Sequence, residues 1–385
     1  MNNFVKGKID SVINHRSKKL KESEEYVVLS EWQLMWRKFL KHRVAVAAAI
    51  ILIILYIVVI FADFFTPYGM LTNHTDYLYT TPQITKIRFI DNDGKFHIRP
   101  FMYRQIQERD PKTLRFVYKD DVSQIDYIKF FVHGEKYTML GFIKSDIHFF
   151  GAGEGKIFLL GTDIIGRDML TRIIFGGRIS LSIGIIGVII LVILGTIMGT
   201  ISGYFGGWID NGIQRLIEIL RTIPQVALWM ALAAVIPKDW PSTYVYLGIV
   251  IIFGFISWTG LARELRGKVL AIRRSDYIYA AEISGASTGR IIFRHIIPNV
   301  SSHIIVIATL SIPMMIIGEA ALSFLGLGIK PPMTSWGLLL TKLREVQTFK
   351  HYPWLIIPAG FIVVSVLCFN FVGDALRDVS DPYSK

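Results

Sequence analysis

The chain has 385 residues, of which 52% are hydrophobic and only 19% charged. That balance excludes an ordinary soluble domain and points to a membrane protein. A formal charge of +12 does not indicate a nucleic-acid binder, because the excess cations flank apolar runs instead of gathering on one folded basic face.

Residues 1–43 are expected to form a cytoplasmic N-terminal region rich in Lys and Arg, including Lys6, Lys8, Arg16, Lys18, Lys19, Lys21, Arg37, Lys38, Lys41 and Arg43. Within it, 31–42 predicts an amphipathic helix lying along the inner membrane surface, with Trp32, Leu34, Met35, Trp36, Phe39 and Leu40 set among Arg37, Lys38 and Lys41. The apolar run at 44–65 that follows is predicted as the first transmembrane helix. It lies behind a long polar stretch and lacks a small-residue cleavage site, so it does not read as a signal peptide.

A span needs roughly 20 mainly apolar residues. Further runs at 181–202, 217–236, 244–261, 304–325 and 354–372 bring the predicted total to six. The cations before the first span, and Arg263, Arg266, Lys268, Arg273, Arg274, Arg290 and Arg294 after the fourth, place both termini in the cytoplasm by the positive-inside rule. Residues 377–385 are then a cytoplasmic tail.

Residues 66–158 change character. Short β-rich runs (KIRFI, KFHIRPF, LRFVY, YIKFFVHG, KIFLL) alternate with turn formers such as Asn92-Asp93-Gly94. The segment predicts a β-rich extracytoplasmic insertion between spans one and two, placed to guide a partner or cap a pathway mouth. Its His97, His133 and His148 match no metal-ligand spacing. The single cysteine, Cys368, falls inside the last span and excludes both an internal disulfide and a cysteine metal cluster.

In 160–184, Asp163 with Arg167 and Asp168 with Arg172 are spaced for i,i+4 pairing, so an amphipathic helix is expected at the outer surface, leading into span two. Span two carries Gly195, Gly199 and Gly203, two overlapping small-xxx-small steps that let another helix approach closely. A tight turn at 203–210 leads to span three, where Arg215, Glu218 and Arg221 can satisfy one another. Pro224 and Pro313 interrupt spans three and five, and Pro358 stands early in span six. Glu319, a carboxylate near the outer end of span five, either faces a translocation path or bonds a neighbouring helix.

Catalytic motifs are missing from the sequence. GAGEGKIF at 151–158 lacks the glycine spacing and the hydroxyl of a phosphate loop, and HExxH does not occur. Nothing in these residues supports an enzyme. An ion-coupled secondary transporter would need intramembrane carboxylates, for which only Glu319 is available. A membrane-tethered sensor using the insertion is the other alternative.

The most informative stretch is the loop 275–299, SDYIYAAEISGASTGRIIFRHIIPN. It is short, basic and helix-compatible from about 276 to 284, where Gly285 breaks it, and Pro298 marks the return into span five. Small residues at Ala280, Ala281 and Gly285 suit a docking surface that lets another protein press close to the backbone, and Arg290 and Arg294 can reach that protein or lipid phosphates.

This loop resembles the EAA motif of permease subunits in ATP-binding-cassette (ABC) importers. Tyr279-Ala280-Ala281 stand for E-A-A, Gly285 falls in place, and His295, Ile297 and Pro298 close the motif. Tyr replaces the usual Glu, with Glu282 nearby, and His295 replaces the usual Ile. Together with LGTDIIGRDMLTR, GGRISLSIG, GYFGGWID, GEAALSFLGLGIKPPMTSWG and NFVGDALRDVSDP, the pattern is similar to the C-type permease of dipeptide, oligopeptide and nickel importers, covering 159–382. The resemblance implies an all-α membrane protein with six transmembrane helices of the type I importer permease fold, its core at 159–376. It also implies a second permease subunit, two ATPase subunits that use ATP and Mg, and an extracytoplasmic solute-binding protein. No cofactor is expected on this chain itself, and membrane lipid is its surroundings. The cargo implied is a short peptide, with nickel complexes or another small solute as the alternative.

Overall fold

The computed structural model describes residues 31–109, 111, 116–139, 141–153 and 155–380. The basic cluster from Lys6 to Lys21 and the residues after 380 lie outside the described residues.

The chain opens with α1 (Glu31–Lys41), whose Trp36 and Phe39 rings stack at 5.9 Å. Phe39 is buried against Ala45, Ala375 and Val379, so one face of this helix packs on the ends of two spans. The exposed Leu34, Trp36 and Leu40 form its apolar remainder. α2 (Arg43–Ile60) is apolar all round and continues after a kink at Phe61 into the single turn α3 (Ala62–Phe65).

After α3 the chain forms a four-stranded antiparallel sheet in the order β1 (Arg88–Ile90), β2 (Phe96–Arg109), β3 (Phe116–Met139) and β4 (Ile143–Ala152). β3 is shared end to end. Its first half pairs with β2, from Arg109↔Phe116 to Phe101↔Tyr127, and its second half pairs with β4, from Ile128↔Ala152 to Met139↔Ile143. The predicted strand at KIFLL is absent. Ile157 and Phe158 are buried in irregular backbone, with Phe158 N–H donating to Gln83 Oε1 at 2.7 Å and its ring against Tyr68, His74 and Tyr77. Burial on every side, which sequence alternation cannot distinguish from a strand, accounts for the difference.

The predicted helix over 160–168 is also corrected. Gly161 and Gly166 have φ of 78°, so the segment is a turn, and the helix begins only at Met169 with Asp168 as N-cap. Asp168 accepts from Thr171 N–H at 2.8 Å and does not pair with Arg172. Asp163 takes both arginines instead, Arg167 at 2.8 Å and Arg172 at 2.6 Å. The turn thereby brings two cations to one buried carboxylate.

The long helix α4 (Met169–Phe205) ends at Gly206, φ 66°, and α5 (Gly207–Thr222) follows directly. The predicted third span, 217–236, is two helices: α5 and α6 (Gln225–Val235) meet at a bend of 85°. Pro224 explains the break, since it forces Ile223 into extended backbone with ψ of 132°. Next come α7 (Ser242–Ile272), α8 (Asp276–Ile283) and α9 (Thr288–Ile291), which runs through a π-helical turn at Ile292–Ile296 into α10 (Ile297–Phe324). Pro313 lies inside α10 without ending it. Two short helices, α11 (Trp336–Leu340) and α12 (Val346–His351), precede α13 (Ile357–Ser380).

Among the described residues, five helices are long and apolar enough to cross a membrane, and the bent pair would make a sixth. α4 packs chiefly on α7, and α10 packs on α4 and α13. Trp229, Ile249, Phe253, Leu261 and Leu265 centre one buried cluster; Met169, Leu181, Ile316, Trp336 and Phe369 centre a second.

Candidate coupling site

Residues 275–299 form a short helix held beside the end of the bundle by a few contacts. Arg273 to Ser275 turn the chain out of α7, and Asp276 starts α8 with a negative charge at the helix N-terminus, where the dipole favours it. The helix ends in a Schellman motif: Ala286 N–H donates to Ala281 O at 3.0 Å and Gly285 N–H to Glu282 O at 2.9 Å. Gly285 has φ of 79°, the left-handed conformation that motif requires. Ser287 then caps α9, accepting from Arg290 N–H at 3.4 Å.

One side chain fixes the helix to the bundle. Ile278 is fully buried among Val269, Ile291, Ile296 and Tyr204. Tyr204, near the end of α4, also donates its hydroxyl to Glu282 Oε1 at 3.1 Å, while Arg273 lies over its ring at 5.5 Å. On the other flank, Asn299 Nδ2 donates to His295 O at 2.6 Å and to Tyr277 Oη at 3.3 Å. α8 is thereby tied to the ends of α4, α7 and α10.

The opposite face is open. Tyr279, Ala280, Glu282, Gly285, Arg290, Arg294 and Pro298 are exposed and Ala281 is half-buried. Ile283 is 88% and Phe293 75% exposed, large apolar groups that a soluble surface seldom presents together. Pro298 stands in the first turn of α10, the helix of the return span, and α9 and the π-helical turn run into it without a break. Proline lacks the N–H that Arg294 O would accept in an α-helix, and the π-helical turn at Ile292–Ile296 absorbs the mismatch.

Behind the loop, Asp210 forms a two-pronged ion pair with Arg266 at 2.5 and 2.6 Å and accepts from Ser202 Oγ at 2.5 Å. This clamp joins α4, α5 and α7 around the Gly206–Gly207 turn. Gly195, Gly199 and Gly203 set α4 close against α7. A Cβ at Gly195 would lie 2.9 Å from the Leu261 side chain, one at Gly199 2.7 Å from Ala262 O, and one at Gly203 2.8 Å from Arg266 O. Arg215 pairs with Glu218 at 2.8 Å on the exposed face of α5.

Glu319 lies far from the loop and is fully buried. It accepts from Ser180 Oγ at 2.9 Å and Ser323 Oγ at 2.7 Å. Those serines accept in turn from Trp336 N–H at 3.1 Å and Ile329 N–H at 3.0 Å. The carboxylate therefore ties α4 and α10 to the segment that follows α10.

The three histidines of the strands are engaged locally. His97 lies between Asp91 and Tyr127, each at 2.9 Å, His133 is 3.1 Å from Asp146, and His148 faces Thr66 O and Glu135 O. No group of three His, Cys, Asp or Glu side chains among the described residues could hold a metal ion.

Ile278, Tyr204 and the Asp210–Arg266 clamp were not singled out by sequence reasoning. Tyr204 and Asp210 belong to the GYFGGWID stretch, where an aromatic and an acid flanking a glycine turn were available signals. Ile278 is one apolar residue in a helix without marked amphipathicity and gives none.

These features define a multi-pass membrane protein of the permease class, with an exposed helical loop anchored to its bundle. Residues 192–384 match the family of binding-protein-dependent transport system inner membrane components, and residues 30–82 match the N-terminal TM domain of oligopeptide transport permease C. The chain belongs to the binding-protein-dependent transport system inner membrane component family. The oligopeptide transport system permease protein OppC of Escherichia coli strain K12 is 45% identical over 223 residues, covering 58% of this chain and 71% of that protein. OppC of Bacillus subtilis strain 168 is 40% identical over 223 residues, covering 58% of this chain and 70% of that protein. The inward-facing MetNI methionine ABC transporter aligns with 55% of this chain and 98% of its own, at a TM-score of 0.44 and 17% identity.

Proposed function

We propose that this chain forms half of the translocation pathway of an ATP-driven importer of short peptides, as one of two permease subunits. The observation that carries the reading is the geometry of α8. It is anchored by one buried isoleucine and by the Tyr204–Glu282 and Asn299–Tyr277 hydrogen bonds, while Tyr279, Ile283, Phe293, Arg290 and Arg294 stay exposed. A short helix held in this way transmits a push to the ends of three spans.

Two ATPase subunits, carrying ATP and Mg, supply that push in this reading, and an extracytoplasmic binding protein delivers the cargo. Both termini and the coupling loop are cytoplasmic, and residues 66–158 face outward, where the sheet can meet the binding protein. The peptide cargo is supported by the relatives at 45% and 40% identity, which are oligopeptide permeases.

Co-purification from membranes, followed by uptake in vesicles, tests the reading. Recovery with a second permease and ATPases, and peptide uptake that requires ATP inside the vesicle, is expected. A chain that purifies alone and drives uptake without ATP overturns the importer assignment. ATP-dependent uptake of nickel but not of peptides overturns the cargo alone.

A further inference from the structure

The sheet carries an aromatic patch that its strand geometry has gone out of its way to assemble. Consecutive residues of a strand point to opposite faces, so Phe130 and Phe131 would ordinarily be separated by the sheet. Phe131 instead has φ of 55°, a conformation unfavourable for a bulky side chain. Both rings consequently lie beside Phe149, at 5.7 and 6.0 Å. Strain of this kind persists where the surroundings enforce it and often marks a functional surface.

The patch is continuous with the first span. Phe64 of α3 is 6.2 Å from Phe131 and 5.9 Å from Phe149, and Phe65 is 5.5 Å from Phe149. From Val44 to Phe64 the helical rise is roughly 30 Å, about the thickness of a bilayer's hydrocarbon core. With Arg43 at one boundary, Phe64 falls at the other. The span itself is only 22% buried and exposes Ile50, Ile53, Ile54, Ile57 and Ile60. Its lipid-facing surface thus runs without interruption into the phenylalanines.

The backbone carbonyls at the end of α2 are engaged by a side chain. Arg178 donates to Val59 O and Ile60 O, each at 2.9 Å, and to Asp63 at 2.6 Å, which closes the end of α2. Phe130 and Phe131 remain 57% and 64% exposed, and Lys129 beside them is an exposed cation.

We infer that Phe130, Phe131 and Phe149, with Phe64 and Phe65, seat in the boundary between lipid headgroups and acyl chains and hold the sheet down on the membrane. Apolar aromatic side chains backed by a lysine are the composition of an interfacial anchor.

The lone cysteine makes the test direct. In a Cys368→Ala background, Phe131→Cys is labelled with a nitroxide in the full-length protein, kept with the subunits that co-purify, in lipid vesicles. The spin label is expected to collide several-fold more often with lipid-dissolved oxygen than with a water-soluble nickel chelate. A label more accessible to the chelate overturns the proposal, because the patch then faces water. A label shielded from both also overturns it, because a protein then covers the patch. Should Phe131→Cys fail to fold, Phe130→Cys is read by the same criteria at a position without the left-handed backbone.

Discussion

The hydroxyl of Tyr204 and the carboxylate of Glu282 meet at 3.1 Å, joining the end of α4 to the exposed helix of the loop. The contact is half in solvent, so its removal costs about 1 kcal/mol. Tyr204→Phe is expected to leave the bundle folded and to raise hydrogen exchange in α8 several-fold. In the importer reading, uptake per ATP hydrolysed should fall while ATPase binding persists. Unchanged exchange in α8 would show that Ile278 and the Asn299–Tyr277 contact hold it without the tyrosine.

Gly285 is open to space but fixed in the left-handed region. Gly285→Ala should destabilise the end of α8 by about 1 kcal/mol, and Gly285→Asn by less. Gly285→Arg adds bulk on the exposed face and should prevent ATPase co-purification while leaving membrane insertion intact. Normal assembly and uptake by that variant would remove the loop from the proposed interface.

Two glycines on facing helices should behave oppositely. A methyl group at Gly199 meets the backbone of Ala262 at 2.7 Å, which cannot move aside, so Gly199→Ala should cost about 1–3 kcal/mol. At Gly260 a methyl group meets nothing within 4 Å, and Gly260→Ala should be neutral or slightly stabilising. Thermal unfolding followed in mild detergent measures the contrast.

Glu319→Gln can still hydrogen-bond Ser180 and Ser323, whose hydroxyls rotate. Glu319→Ala leaves buried hydroxyls facing a void, at about 1–3 kcal/mol for each group orphaned. Gln is therefore expected to keep thermal stability near that of the native chain, and Ala to lower it clearly. Equal loss in both would mean that the negative charge itself is needed.

His74 is packed against Tyr68 and Phe158. Burial, with Lys156 adding to it, holds its imidazole below the usual histidine range. A folded value below the unfolded one means the unfolded chain binds the proton more readily. The contribution of His74 is present above about pH 6.5 and fades as pH falls through the lowered value. The protection of amides across 66–80, relative to their intrinsic exchange rates, should fall between pH 7 and 5, and His74→Phe should abolish that pH dependence. Acid loosening that survives in His74→Phe would assign it elsewhere.

Much of the fold was legible because long apolar runs have few alternatives in water or lipid. α8 and its end at Gly285 were also readable, since a glycine after a helical stretch has a specific backbone use. The pairings across 160–172 were not. Spacing on a helix suggested Asp168 with Arg172, but two glycines turned the backbone and gave Arg172 to Asp163. The bend at Pro224 was marked by the proline, yet its 85° angle depends on what packs around it. Ile278 became visible only with its tertiary neighbours, because burial of a single side chain in a short helix leaves no period to detect.

The sheet begins and ends at one doorway. Gln83 N–H donates to Phe158 O at 3.2 Å and Ile84 N–H to Leu159 O at 3.1 Å, so the segments leading into and out of the sheet run side by side there. A permease without the sheet would need only a short turn there to keep its spans in register. The same doorway is thus a grafting port, able to accept or surrender a whole folded unit while the helices around it keep their course.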